Sequence, residues 1–461
     1  MSNFWDSSVW GLILVLAALF LGLLAGHCIK RRVPWLKDSL TPTSVIGGAV
    51  LLVIVAIYRL ATGRVLFEEP IFDGKGSTIL EILTYHCLAL GFIASALRKN
   101  GDKGDKKRAT EIFNTGVTTV STYLIQALVG FGITILLAKV FLDFFPAAGI
   151  LLPFGYGQGT GQALNYGTIY ETEYGFTGGK SFGLTIAALG FLSAGIGGVI
   201  HLAILKKKGL YKKKVSEFEI LRYNEIQSEG EVPMQESLDK MTLQVGFVII
   251  AYLLAYLLML LLGKLLPSMK AVVYGFNFLF GVLAAILVKN LTNFLYKKKV
   301  IRRKYLNDFL LTRVSNFFFD IMVVAGIAAI RIEILEKYWG VMLGLGVIGA
   351  FITYFYNRLV AKKLFKEYSE EQFLMMYGML TGTASTGIIL LREIDPEFKT
   401  PAADNMVYQN FPAIVFGFPM MLLATLAPKD PRLTYILLLA FFLVMNIILF
   451  RSFIFKKKNK Q

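Results

Sequence analysis

The sequence predicts an all-α polytopic membrane protein: two inverted five-helix repeats, each with a re-entrant loop, plus one extra C-terminal helix. Three observations carry this expectation. Hydrophobic residues make up 55% of the 461 and charged residues only 17%, and the mean hydropathy of +0.60 is too high for a soluble enzyme of this length. Apolar runs of spanning length recur along the whole chain. Two polar, glycine-rich breaks interrupt them. The net charge of +17 does not point to nucleic acid, because the lysines and arginines fall in short runs between apolar segments without interleaved aromatics. Cys28 and Cys87 sit in no CxxC or Cys/His cluster, so no disulfide framework, zinc site or iron–sulfur site is expected.

Crossing a ~30 Å hydrocarbon core takes about 20 apolar residues. Such runs occupy 10–29, 43–60, 78–97, 111–142, 180–205, 242–265, 270–292, 308–330, 338–361, 402–428 and 432–452, about eleven helices. The first lacks a basic n-region and a cleavage site, and reads as a retained helix. Basic runs mark cytoplasmic loops. They lie at Lys30 to Arg32, Arg98 to Arg108, Lys206 to Lys214, Lys297 to Lys304, Lys362 to Lys366 and Lys456 to Lys460. All of them fall on one side only if 146–172 enters and leaves from the outer face. The same count makes 371–392 a re-entrant loop from the cytoplasm, with the N-terminus outside and the C-terminus inside a plasma membrane. The domains expected are a repeat over 1–205, a polar cytoplasmic linker over 206–241 with an amphipathic stretch at 215–226, a repeat over 242–428, and an extra helix with a basic tail over 429–461.

The first break runs from Leu152 to Ala163, with Gly155, Gly157, Gly159 and Gly161 alternating. Non-helical backbone at this depth survives where it is buried in protein or lines a wet cavity, and interrupted segments in corresponding halves mark transporter sites. Glycine lets backbone approach a ligand closely. Gly157, Gln158, Gly159, Thr160, Gly161, Gln162 and Asn165 are the candidate substrate contacts; the alternative, that glycines only permit helix packing, suits Gly195, Gly197 and Gly198 better. In the second break Thr383, Ala384, Ser385 and Thr386 are the matching candidates, and Thr381, Gly382 and Thr383 offer oxygens to Na⁺; back-bonding to their own helix is the alternative for the hydroxyls.

Asp320 is the ionisable residue deepest in a run, with Asn316 one turn earlier. Buried charges in spans mark ion paths or structural pairs, so the two are candidate Na⁺ ligands, with Asp320 as proton acceptor the alternative. Arg392 either pairs with a substrate carboxylate or anchors at the interface. Asn405, Gln409 and Asn410 either face the site or cap their helix. Gly178-Gly179-Lys180-Ser181 is not a P-loop, since Tyr174 stands where glycine is required. No enzyme signature is present, and no enzyme is expected.

The run from Leu152-Pro153-Phe154-Gly155 through Gly159-Thr160-Gly161 to Glu173-Tyr174-Gly175-Phe176-Thr177, followed by a glycine-rich helix, resembles the bacterial sodium–glutamate symporter family. The resemblance implies a homodimer that takes up glutamate with Na⁺ by alternating access, through an elevator-like moving domain. It also implies a re-entrant loop between the fourth and fifth helices of each repeat, with Gly157, Gly159, Thr160 and Gly161 in the first loop's motif. The second loop is poorer in glycine than the family pattern, and the last helix is additional. The alternative reading is therefore a proton- or sodium-coupled carrier of another small carboxylate or dicarboxylate.

Overall fold

The computed structural model describes residues 3–33, 41–98, 106–141, 144–209, 239–267, 270–395 and 399–454, and no β-strand occurs among them. Residues 210–238 of the expected linker, with its amphipathic stretch, lie outside the described residues. The helices in chain order are α1 (Ser7–Arg32), α2 (Thr43–Thr62), α3 (Gly76–Leu97), α4 (Lys106–Val140), α5 (Leu151–Tyr174), α6 (Gly179–Lys207), α7 (Lys240–Leu265), α8 (Lys270–Gly275) and α9 (Asn277–Lys297). They continue as α10 (Asp308–Ala328), α11 (Ile332–Leu364), α12 (Ser369–Thr381), α13 (Ala384–Ile394), α14 (Ala402–Tyr408), α15 (Asn410–Leu426), α16 (Pro431–Leu449) and α17 (Arg451–Ile454). Local chemistry sets several ends. Gly63 closes α2 in the left-handed conformation at φ 71°, Asp239 caps α7 by accepting from the Met241 and Thr242 amides, and Asp430 with Pro431 opens α16.

Among the described residues ten helices are long and apolar enough to cross a membrane, and they correspond to ten of the eleven predicted runs. The run 402–428 differs: it is built as α14 and α15, which meet at Gln409. Pro412 explains the break, because it offers no N–H to the Tyr408 carbonyl four residues back and its ring crowds that carbonyl.

The chain packs as two compact units, and each draws on both halves of the sequence. One comprises Met1–Leu19, Phe67–Asp102 and Ser216–Gly326; the other comprises Phe20–Leu66, Lys103–Val215 and Ile327–Gln461. The smaller unit holds α3, α7, α9 and most of α10. Its core joins Leu90, Ile93 and Leu97 of α3 to Val248 and Ala251 of α7, Ala285 of α9, and Leu311 and Val314 of α10. Polar links fix the register. Ser315 donates to the Gly91 carbonyl at 2.9 Å, and the Lys289 ammonium donates to the Ala96 and Arg98 carbonyls, both at 2.9 Å, satisfying acceptors at the end of α3.

In the larger unit, small residues let backbones touch. A methyl added to Gly149 would lie 1.9 Å from the Gly130 carbonyl oxygen of α4. One face of α6 repeats this at helical spacing: added methyls at Gly179, Gly183 and Gly190 would meet the carbonyl oxygens of Gly167, Ala163 and Thr381 at 2.7, 2.5 and 2.4 Å. Gly197 and Gly198 clear room for Tyr377 and Leu390, the packing role expected of them. At the base of α12, Glu370 accepts from both ends of the Arg358 guanidinium and sits 3.0 Å from His201 Nε2. His201 Nδ1 lies 2.8 Å from the Tyr354 hydroxyl. Burial pushes the Glu370 carboxyl up, but the bonds from Arg358 and His201 overcome this and hold it below its usual value.

Two expectations follow for the purified protein. Gly149→Ala should lose about 1–3 kcal/mol through overpacking against backbone that cannot yield, seen as a lower Tm. Gly340→Ala, inside α11 with nothing within 4 Å, should leave Tm unchanged or raise it, since alanine is about 0.5–1 kcal/mol better than glycine within a helix. Because the folded Glu370 carboxyl titrates below its unfolded value of about 4.3, its contribution is complete above that value and is lost as pH falls through the lowered one. A Tm titration from pH 7 to 3 should therefore fall more steeply for the native chain than for Glu370→Gln.

Candidate functional site at two hairpin tips

The first glycine-rich break is a doubled helix. Within α5 only Gly159 departs from helical geometry, at φ 80° and ψ −172°, a conformation open to glycine and costly for other residues. The rings of Phe154 and Tyr166 stack with centroids 3.8 Å apart, whereas twelve residues of continuous helix would separate them by about 18 Å. Phe145 and Phe176, which flank the segment, also stack, at 4.6 Å. The two arms thus lie side by side and the segment's ends lie together.

The second break repeats the arrangement. α12 ends at Thr381, Gly382 is neither helical nor extended at φ −134° and ψ −106°, and Thr383 caps α13 by accepting from the Thr386 amide. A methyl on Gly378 would lie 2.8 Å from the Gly387 Cα, and one on Gly387 would lie 2.5 Å from the Met375 carbonyl oxygen. These residues are also in adjacent arms. The two tips meet, since a methyl on Gly159 would stand 4.0 Å from the Gly382 carbonyl oxygen. Two helix starts and two helix ends therefore converge, offering N–H groups to anions and carbonyls to cations.

The predicted residues distribute as follows. Gly157, Gly159, Thr160, Gly161 and Gln162 are buried around the first tip, with Gln158 half-buried and Asn165 buried farther along the second arm. At the second tip Thr381, Gly382 and Thr386 are buried, Thr383 is half-buried and Ala384 is exposed. Ser385 is in α13, but its side chain lies outside the described residues. The Thr381 hydroxyl donates to the Tyr377 carbonyl at 2.6 Å and the Thr383 and Thr386 hydroxyls pair at 3.2 Å, so all three have local partners. Arg392 is exposed in the last turn of α13, about 13 Å of helix beyond Thr383, and is not brought to the tip. Asp320 and Asn316 are exposed on α10 of the smaller unit; the tips belong to the larger unit, and the structure does not assemble these two groups of candidate Na⁺ ligands within one unit.

What surrounds the tips is polar and incompletely bonded. Gln162, 1% exposed, has no partner for either end of its amide. Gln126 of α4 donates to the Leu380 carbonyl at 3.0 Å and to Thr353 at 2.8 Å, yet its Oε1 is unpaired. Gln409, at the α14–α15 joint, points its amide nitrogen at the Met379 sulfur at 3.5 Å, and its Oε1 is also unpaired. Buried amide atoms without partners cost free energy and are uncommon in native proteins, and three glutamines near the tips carry them.

Sequence reasoning missed the wall that leads to this site. Thr115, Thr118, Thr119, Thr122 and Gln126 are all buried on one face of α4. They meet Gln372 at 3.1 Å, Asn357 at 3.4 Å and Thr353. The threonine and glutamine spacing of three to four residues inside an apolar run was the available signal. Asn405 continues the seam, bonding Gln372, Tyr368 and Arg108, so it lies in this polar wall rather than serving as a cap.

No curated protein matches the chain. The sodium/glutamate symporter family matches residues 11–380, well over half the sequence. That segment contains the whole first hairpin and stops just short of the second tip. The chain therefore belongs to the sodium/glutamate symporter family, a multi-pass membrane protein whose function is sodium-coupled glutamate symport.

Proposed function

We propose that glutamate and its coupling Na⁺ are held at the two hairpin tips and carried by alternating access. The observation that carries this reading is the meeting of Gly159 with the Gly382 carbonyl, beside the buried, unpaired amide of Gln162 and the unpaired amide oxygens of Gln126 and Gln409. The Gln162 amide nitrogen and the N–H groups that open the second arm of α5 suit the substrate's carboxylates, and the unpaired Oε1 atoms of Gln162, Gln126 and Gln409 suit its ammonium group or Na⁺. The Thr381 and Gly382 carbonyls and the Thr383 hydroxyl suit Na⁺, a hard cation that takes oxygen ligands. Asp320 and Asn316 form a second candidate group for the ion, on the smaller unit.

The re-entrant topology belongs to the same proposal. Stacked rings at the two ends of 146–172 support a segment that returns to its side of entry, and the adjacent arms of 371–392 support the same for the second. With both hairpins re-entrant, every basic run falls inside, the N-terminus lies outside, and the repeats over 1–205 and 242–428 are inverted. The 206–241 linker then joins them in the cytoplasm, and the chain pairs as a homodimer.

Proteoliposomes loaded without sodium should accumulate labelled glutamate when sodium is added outside. Equal uptake with sodium on both sides would sink gradient coupling. Gln162→Met should stabilise the ligand-free protein by about 1 kcal/mol, seen as a higher Tm, because an unpaired buried amide is replaced by an apolar chain of similar shape. The same variant should lose at least tenfold in glutamate uptake and most of the glutamate-induced rise in Tm. Unchanged uptake would remove Gln162 from the site.

A further inference from the structure

Away from the hairpin tips, the larger unit has an open cavity of about 290 Å³ where α4 begins and α11 and α16 end. Its lining includes Lys107, Glu111, Asn114, Lys363, Lys366 and Glu367, together with Ser452 and Phe453 from the last described turn. The two carboxylates are already neutralised. Glu111 pairs with Arg108 at 3.1 Å, and Glu367 pairs with Lys107 at 2.8 Å. Lys363 and Lys366 have no carboxylate partner among the described residues; the Lys363 ammonium stands 5.9 Å over the Phe450 ring. The Arg451 guanidinium, 2.9 Å from Asn114 Oδ1, leaves the Asn114 amide nitrogen as a donor. The cavity thus combines uncompensated positive charge with hydroxyl and amide donors.

We propose that this cavity binds the phosphate of an anionic phospholipid headgroup. It lies where three membrane-crossing helices leave hydrocarbon, the level at which headgroup phosphates stand. Basic pockets between helix ends are suited to such headgroups. Along the spans that lead from it, α11 and α16 pack through the Tyr356 hydroxyl and Asn446 at 2.8 Å and expose Phe355, Leu359, Leu443 and Ile447, an apolar surface for acyl chains. Ser452 and Phe453 lie beyond the family-matched segment, which ends at residue 380, so the cavity depends on the added C-terminal helix.

The test uses the full-length protein in phosphatidylcholine nanodiscs with increasing phosphatidylglycerol, read as the rise in Tm. The native chain should be stabilised, and Lys363→Gln/Lys366→Gln should need on the order of 25-fold more phosphatidylglycerol for the same rise, about fivefold per lysine. Lys363→Arg/Lys366→Arg should respond as the native chain does, which separates lost binding from lost folding. Lys297→Gln/Lys298→Gln, at the basic end of α9, is the control for general membrane electrostatics. An unchanged titration in the first variant, or an equal loss in the control, overturns the proposal. So does saturation of the native Tm rise by soluble glycerol 1-phosphate in pure phosphatidylcholine, which would assign the cavity to a free anion.

Discussion

Backbone N–H and C=O groups that leave a helix at membrane depth need partners, and the arrangement of the larger unit answers to that requirement. The chain breaks its helices at Gly159, Gly382 and Gln409, and side chains gather wherever carbonyls are released. The Tyr123 hydroxyl donates to the Gly157 carbonyl at 3.1 Å, next to the first tip. Gln126 does the same for Leu380 at the second. Tyr166, Tyr170 and Tyr174, one turn apart on α5, donate to the Met421, Ala424 and Thr425 carbonyls toward the end of α15, whose last carbonyls have no N–H donors within the helix. The tyrosine ladder therefore supports the first hairpin and completes a second helix at once.

Glycine at α6 is the other half of this solution. Polar side chains reach broken backbone only if helices approach more closely than leucine or valine would allow, and the Gly179, Gly183 and Gly190 face provides that approach to both hairpins. Gly190 lies against the Thr381 carbonyl, one residue before the second tip, so the face that aligns α5 also aligns α12. Tyr156 adds a tie, bonding Ser193 of α6 and the Gly346 carbonyl of α11. The positions of the tips follow from packed backbones rather than from flexible side chains.

This logic explains which parts were legible from sequence. Hydropathy identified ten helices because a span must be apolar over most of its length, and glycine with charge placement identified both breaks. The division of 402–428 was signalled by Pro412 but masked by the apolar residues on either side. The threonine face of α4 escaped notice because each hydroxyl can bond its own preceding turn, as Thr115 does to the Glu111 carbonyl at 2.8 Å, and so fits an apolar run at little cost. Its partners Thr353, Asn357 and Gln372 lie more than two hundred residues away in the sequence. Asp320 was nominated by depth in its run, yet depth does not say which way a helix face turns, and α10 leaves it exposed within its unit. The pairing of α3 with α7, α9 and α10 was likewise hidden, since neighbours along the chain are divided between units.

The absence of formal charge at the tips bears on why a cation and an anion travel together. Between Leu152 and Tyr170, and again between Gln372 and Leu391, the chain has no Asp, Glu, Lys or Arg. A site at these tips offers N–H groups, amides, hydroxyls and carbonyls, all of them dipoles. Glutamate carries a net negative charge, and removing it from water without a counter-charge costs several kcal/mol that dipoles offset only in part. A Na⁺ bound alongside supplies that counter-charge from the solution, and each ligand then strengthens the other's binding by the same factor. A fixed arginine would have neutralised the anion whether or not sodium was present. With no arginine from Leu152 to Tyr170 or from Gln372 to Leu391, the proposed site makes occupancy by one ligand depend on the other, as symport requires.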